Sequence, residues 1–162
     1  MQLDQEGRAG IRSLKALVER DIELADRVIA DDEEIDRMEL EIEDRCLKLL
    51  ALQQPMAIDL RVISGALKII TDLERLADHT TTIARKAKIL ATLPQLKPYV
   101  DLPVMAEKTI NMLRLSMEAF KNRDAALAEK VIGLDNEIDD FNHRILSELV
   151  IYMSCLLYPS DA

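Results

Sequence analysis

A chain of 162 residues with formal charge −9, 3% aromatic content, no Trp, four Gly and five Pro makes one ordinary domain or two small helical units. Its Ala, Leu, Ile, Glu and Arg bias selects helices throughout and no sheet. The acidic balance excludes nucleic acid, whose phosphates need a basic patch, and it repels anionic lipid, so cations or a basic protein surface are the favoured company. No apolar run approaches the roughly 18 to 20 residues that span a bilayer, and the N-terminus carries no basic-then-apolar signal pattern. The chain therefore reads as soluble, cytoplasmic and without membrane insertion. Cys46 and Cys155 have no CysXxxXxxCys spacing and read as reduced, buried thiols.

In chain order, residues 4–19 carry Ile11, Leu14, Leu17 and Val18 at helical spacing, and Arg20 with Asp21 supplies a tight turn and an N-cap. From about Ile22 to Leu52 the positions Leu24, Val28, Ile35, Met38, Ile42, Cys46 and Leu49 recur by threes, fours and sevens, which predicts a long second helix. Gln53, Gln54 and Pro55 stop it. The third helix runs from Met56 to Leu90, with a stripe of Val62, Ala66, Ile69, Leu73, Leu76, Thr80, Ile83 and Ala87, widened by Ile63, Ile70 and Ala77. Glu74 and Asp78 lie on the flank of that stripe, whereas Arg61, Lys68 and Arg75 form the solvent back. Residues 93–103 contain three prolines and read as a linker. A fourth helix is expected from about Val104 to Lys121 and a fifth from Asp124 to about Met153.

Shifting the sequence by 103 positions lays Arg20–Asp36 on Arg123–Asp139 with ten of seventeen residues identical. This internal duplication predicts an all-α fold of two repeated three-helix bundles, residues 1–92 and 104–162, the second lacking its last helix. The counterparts of Glu74 and Asp78 would fall past residue 162. Leu156, Leu157 and Tyr158 stand where the first repeat has its Gln-Gln-Pro stop, so the tail from about Ser154 reads as foreign to the repeat. An incomplete bundle exposes the apolar faces of the fourth and fifth helices, for which a homodimer or a swapped partner is the expected cover.

On the second helix Asp32, Asp36, Glu39 and Glu43 fall within one arc of about 60° with no Lys or Arg among them. Like charges one turn apart cost a helix about 0.2 to 0.5 kcal/mol per pair, so something cationic should face them. Glu74 and Asp78 offer the same spacing on the third helix, and antiparallel packing through the Gln-Gln-Pro turn brings the two columns together. In the second repeat Asp135 and Asp139 reproduce the pair, while Glu39 becomes Asn142. Converging carboxylates suit a hard or borderline metal such as iron or manganese in a helix bundle. The plainer reading is a solvated acidic face, or acids paired across helices. His79 and His143 read as helix-surface residues rather than ligands. Gly7, Gly10, Gly65 and Gly133 are scattered, so no phosphate-cradling loop forms, and no Ser or Cys has an arguable His partner; nothing asks for an enzyme.

Gln53 to Met56, Asp59 to Arg61, Ala66 to Lys68, and Leu73 to His79 (LeuGluArgLeuAlaAspHis) together resemble the PhoU family of phosphate-transport regulators, with the likeness running from about Gly10 to Met153. The resemblance implies a non-enzymatic cytoplasmic accessory protein that represses phosphate uptake and the phosphate-starvation response by contacting a sensor histidine kinase and the ATPase of the phosphate importer. It also implies multinuclear iron or zinc clusters, with manganese or magnesium as substitutes, held by Asp32, Asp36, Glu74 and Asp78 and by Asp135 and Asp139. Two rival readings stand beside it: a PhoU-like domain regulating a phosphate symporter, and a carboxylate-bridged metal enzyme or store, whose usual GluXxxXxxHis ligand pairs are missing here.

Overall fold

The computed structural model describes residues 2–157, with side chains from 7 to 155. Of the tail that reads as foreign from about Ser154, the residues to Leu157 belong to the last helix, and residues 158–162 lie outside those described. Five helices and no strand form among the described residues: α1 (Gln2–Glu19), α2 (Ile22–Gln53), α3 (Ile58–Ala91), α4 (Asp101–Asn122) and α5 (Ala125–Leu157). They divide into two compact units, Met1–Thr92 and Leu93–Ala162. In the first, α1, α2 and α3 pack on one another; in the second, α4 packs on α5.

The same local chemistry makes the α1–α2 turn of the first unit and the α4–α5 turn of the second. Arg20 takes a left-handed φ of 59°, and the Asp21 carboxylate accepts from the Leu24 amide at 2.9 Å, capping the first turn of α2. Arg123 takes φ 54°, and Asp124 accepts from the Leu127 amide at 2.9 Å. The Asp21 amide reaches back to the Ala16 carbonyl and the Asp124 amide to that of Ala119. Sequence duplication is thus matched by duplicated capping geometry. In the first unit Arg20 does more: its guanidinium donates to the carbonyls of Leu90 (3.1 Å) and Ala91 (2.8 Å), satisfying acceptors that the C-terminus of α3 leaves without helical donors.

Small residues dominate the core of the first unit. Ala16, Ala25, Val28, Ala84 and Ala87 form one buried cluster, with Leu17, Leu24 and Ile29 packed against it. On α1 the fully buried face is Ala9, Ser13 and Ala16, and the expected anchor Ile11 is 48% exposed. On α3 the buried stripe is Ile70, Leu73, Ala77, Thr80, Ala84 and Ala87, so Ile83 turns outward and Ala84 replaces it. Both differences have one cause: three helices meeting closely select the smallest side chains at the contact, and the larger aliphatics move to the edges of the seam. Leu49, expected inside, is likewise exposed on α2.

Two helix ends also differ from expectation. Helix α4 begins at Asp101, inside the proline-rich 93–103 stretch, because Pro103 sits in its first turn, where a missing N–H costs nothing. Helix α5 runs past Met153 to Leu157, one residue beyond the counterpart of Gln53, where α2 ends. Cys46 is buried, and burial pushes its thiol pKa up, whereas Cys155 is exposed rather than buried as expected.

The close seam makes a prediction. Ala84→Leu, which forces three methylene-sized groups plus branching into a contact with 0% exposure, lowers the stability of the first unit by about 1–3 kcal/mol. Thermal unfolding followed by circular dichroism would show a reduced midpoint; an unchanged midpoint would mean that the seam is loosely packed.

Candidate metal-binding face on α2 and α3

The α2–α3 turn sets the register that decides the site. Gln54 adopts the left-handed conformation at φ 44°, Ala57 also takes a positive φ of 49° but with ψ −106°, and between them around Pro55 the chain turns so that α3 leaves antiparallel to α2. Going back along α2 and forward along α3, Lys88 pairs with Asp26 at 2.5 Å, Thr81 hydrogen-bonds Asp32, and Glu74 comes within electrostatic reach of Glu39. These contacts step evenly through one antiparallel interface.

The two acidic columns therefore face each other as the sequence suggested. Asp32 is half-buried, and its carboxyl is held above the usual aspartate range, first by desolvation and then by Asp36 and Asp78; the Thr81 hydroxyl bond and the Arg85 guanidinium pull the other way. Glu39 is also raised, by desolvation first and then by Glu74, Glu43 and Asp36. Asp32, Asp36, Glu39, Glu43, Glu74 and Asp78 thus form one mutually repelling face. Asp36 and Asp78 are exposed, so the face opens to solvent and is not an enclosed pocket.

Two residues that sequence reasoning missed sit on this face. Thr81 and Arg85 lie three and seven positions beyond Asp78, on the same side of α3, so helical spacing could have found them. Arg85 supplies part of the facing positive charge that the acidic column calls for, from α3 and at its Asp32 end. Neighbouring acids are neutralised separately, Asp31 by Arg12 at 2.7 Å and Asp26 by Lys88. The Arg12–Asp31 pair bridges a cleft of about 420 Å³ between α1 and α2, away from the acidic face.

Among the described residues, no three His, Cys, Asp or Glu side chains already converge as a metal-ligating group. The fit is one of donor type: hard carboxylate oxygens, unneutralised over most of the face, on two helices in register. Asp135 and Asp139 lie one turn apart and exposed on α5, and among the described residues of the second unit no helix carries a facing acidic pair. His79 and His143 are exposed helix-surface residues.

The family model described as "PhoU domain" matches residues 11–87 and 102–161, one segment in each unit. The chain belongs to the PhoU domain family. A PhoU homologue of Aquifex aeolicus, named a phosphate-specific transport system accessory protein, is 42% identical over 142 residues, 88% of this chain and 64% of its own. PhoU homologue 2 of Thermotoga maritima is 33% identical, covering 87% of this chain and 60% of its own. The chain thus spans somewhat under two thirds of the length of these relatives. The crystal structure of PhoU from Pseudomonas aeruginosa matches with a TM-score of 0.89 at 32% identity, covering 94% of this chain and 74% of that one. No helix among the described residues is long and apolar enough to cross a membrane.

The raised carboxyls fix a sign. Asp32 and Glu39 bind protons more readily folded than unfolded, so their contribution to stability is fully present below their unfolded pKa and is lost as pH rises through the folded one. Glu39→Gln removes one repelling charge and raises the thermal midpoint at neutral pH by about 1–4 °C. That gain shrinks on acidification towards the ordinary glutamate value of about 4.3. A gain that stays constant down to that pH, or a lowered midpoint at neutrality, would contradict the electrostatic account.

Proposed function

We propose that this protein is the accessory regulator of a phosphate-specific transport system, lowering phosphate uptake and the phosphate-starvation two-component response when phosphate is plentiful. It acts from the cytoplasm as a helical adaptor, through contacts rather than catalysis, on a sensor histidine kinase and on the ATPase of the phosphate importer. The observation that carries this reading is the 42% identity to a named transport-system accessory protein across 88% of the chain.

Metal binding on the α2–α3 face is the second part of the proposal. Asp32, Asp36, Glu74 and Asp78 would hold the ions, iron or zinc by preference and manganese or magnesium as substitutes, with Asp135 and Asp139 as the corresponding pair on α5. Bound cations would offset the desolvation, and relieve the added repulsion, that keep the Asp32 and Glu39 carboxyls raised, and would tie α2 to α3. What supports this is the register of two acidic columns on facing helices. A homodimer covering exposed apolar groups of α4 and α5, such as Val104, Leu146 and Val150, belongs to the same reading.

Two measurements test it. Titration with Fe, Zn, Mn or Mg raises the thermal midpoint, with a gain of about 2.7 kcal/mol when free metal stands 100-fold above its dissociation constant. Asp32→Asn/Asp78→Asn abolishes the shift; an equal shift in that variant, or none in the wild type with any metal, removes the metal proposal. Pull-down against the purified kinase and importer ATPase recovers a complex with at least one of them, and clean failure with both defeats the adaptor role.

A further inference from the structure

A side-chain hydroxyl on a helix has a ready outlet in the backbone carbonyl one turn back. Thr71, Thr109 and Ser116 take it, donating to the carbonyls of Leu67 at 3.3 Å, Met105 at 2.9 Å and Met112 at 2.9 Å, all at exposed positions. Thr81 does not follow them. It is 2% exposed, and its hydroxyl crosses from α3 to bond the Asp32 carboxylate on α2. Packing calls for no oxygen there. The residues about one turn before and after it, Ala77 and Ala84, are buried and apolar, and a valine would fill the same volume with no polar group to satisfy. A buried hydroxyl is unfavourable unless bonded, and the group that satisfies this one is Asp32.

That bond sets Asp32 apart from the other carboxylates of the face. Asp36, Glu74 and Asp78 have no hydrogen bond or ion pair among the described residues, and Asp36 and Asp78 are exposed, so their side chains are free to change rotamer. Asp32 is half-buried and has one acceptor position fixed. A carboxylate offers about four such positions, so the Thr81 hydroxyl occupies one and leaves the others for a cation. A neutral donor also leaves the charge in place, in contrast to Lys88, which pairs with Asp26 and neutralises it. Arg85, one turn beyond Thr81, is exposed and bears on Asp32 less strongly than the hydroxyl does.

We infer that Thr81 is a positioning residue for the metal face: its hydroxyl holds the Asp32 carboxylate in one orientation and leaves it charged, so that a first ion meets one ligand already set. This rests on the metal binding proposed above and adds a residue outside the ligand set. A ligand whose rotamer is fixed before the ion arrives loses less freedom on binding, and one held by a neutral donor keeps its full attraction for a cation. Outer-shell partners of this kind contribute about 10- to 100-fold to metal affinity.

Calorimetric titration of the full chain with zinc tests it. Thr81→Val, which keeps the volume and loses the donor, weakens zinc binding at least about tenfold with an unchanged circular dichroism spectrum. Thr81→Ser keeps the hydroxyl and stays close to the wild type. In an Asp32→Asn background Thr81→Val causes no further loss, whereas in an Asp36→Asn background its effect persists. A crystal structure of metal-free Thr81→Val shows Asp32 in more than one rotamer, with α2 and α3 in place. Wild-type zinc affinity in Thr81→Val overturns the inference, as does an equal loss in Thr81→Ser, a further loss in the Asp32→Asn background, or a single unchanged Asp32 rotamer once the hydroxyl is gone. Each of these leaves zinc binding by the wild type intact and so counts against Thr81 and not against the metal site. A wild type that binds neither zinc nor iron, manganese or magnesium defeats the metal reading itself, and the role of Thr81 with it.

Discussion

Close approach of three helices at Ala16, Ala25, Val28, Ala84 and Ala87 is the constraint on which the first unit depends. Because the smallest side chains occupy the seam, the helices lock in one rotation and one register. Arg20 reinforces it at the same end of the bundle by taking up the last carbonyls of α3. The rotation places α2 and α3 with their acidic flanks opposed, and the register puts Asp32 against Thr81 and Glu39 against Glu74. A shift of one turn in either helix would break up that face.

Packing at one end thus sustains electrostatic tension in the middle. Thr81 and Arg85 relieve it at Asp32, while Glu39 has only like charges around it among the groups that set its pKa. The metal binding proposed for this face would act on that repulsion and so on how tightly α2 and α3 are held.

Duplication carries some of these features and omits others. The left-handed Arg, the Asp cap and the return hydrogen bond recur at Arg123, Asp124 and Ala119, because they need only a hairpin. Among the described residues the opposed acidic face does not recur: Asp135 and Asp139 are exposed on α5, and α4 sets no acidic pair against them. Burial tells the same story. The second unit buries Ala119 and Val131, and leaves Ile132, Val150 and Met153 exposed.

How much was legible in the residues follows from the range of each interaction. Five helices, the Asp21 and Asp124 caps, the 103-residue repeat and the facing of two acidic columns follow from sequence, since spacing, capping and a short turn act over a few neighbours. Which face of α1 turns inward was not legible, for Ile11 and Leu14 look more apolar than Ala9 and Ser13, and only the approach of α2 and α3 gives the small residues their value. Arg85 as the counter-charge of Asp32 and the replacement of Ile83 by Ala84 at the seam were decided by tertiary structure. Each depends on how far two helices slide and turn against each other, a quantity set by the summed fit of side chains from different segments and written in no single stretch of the chain.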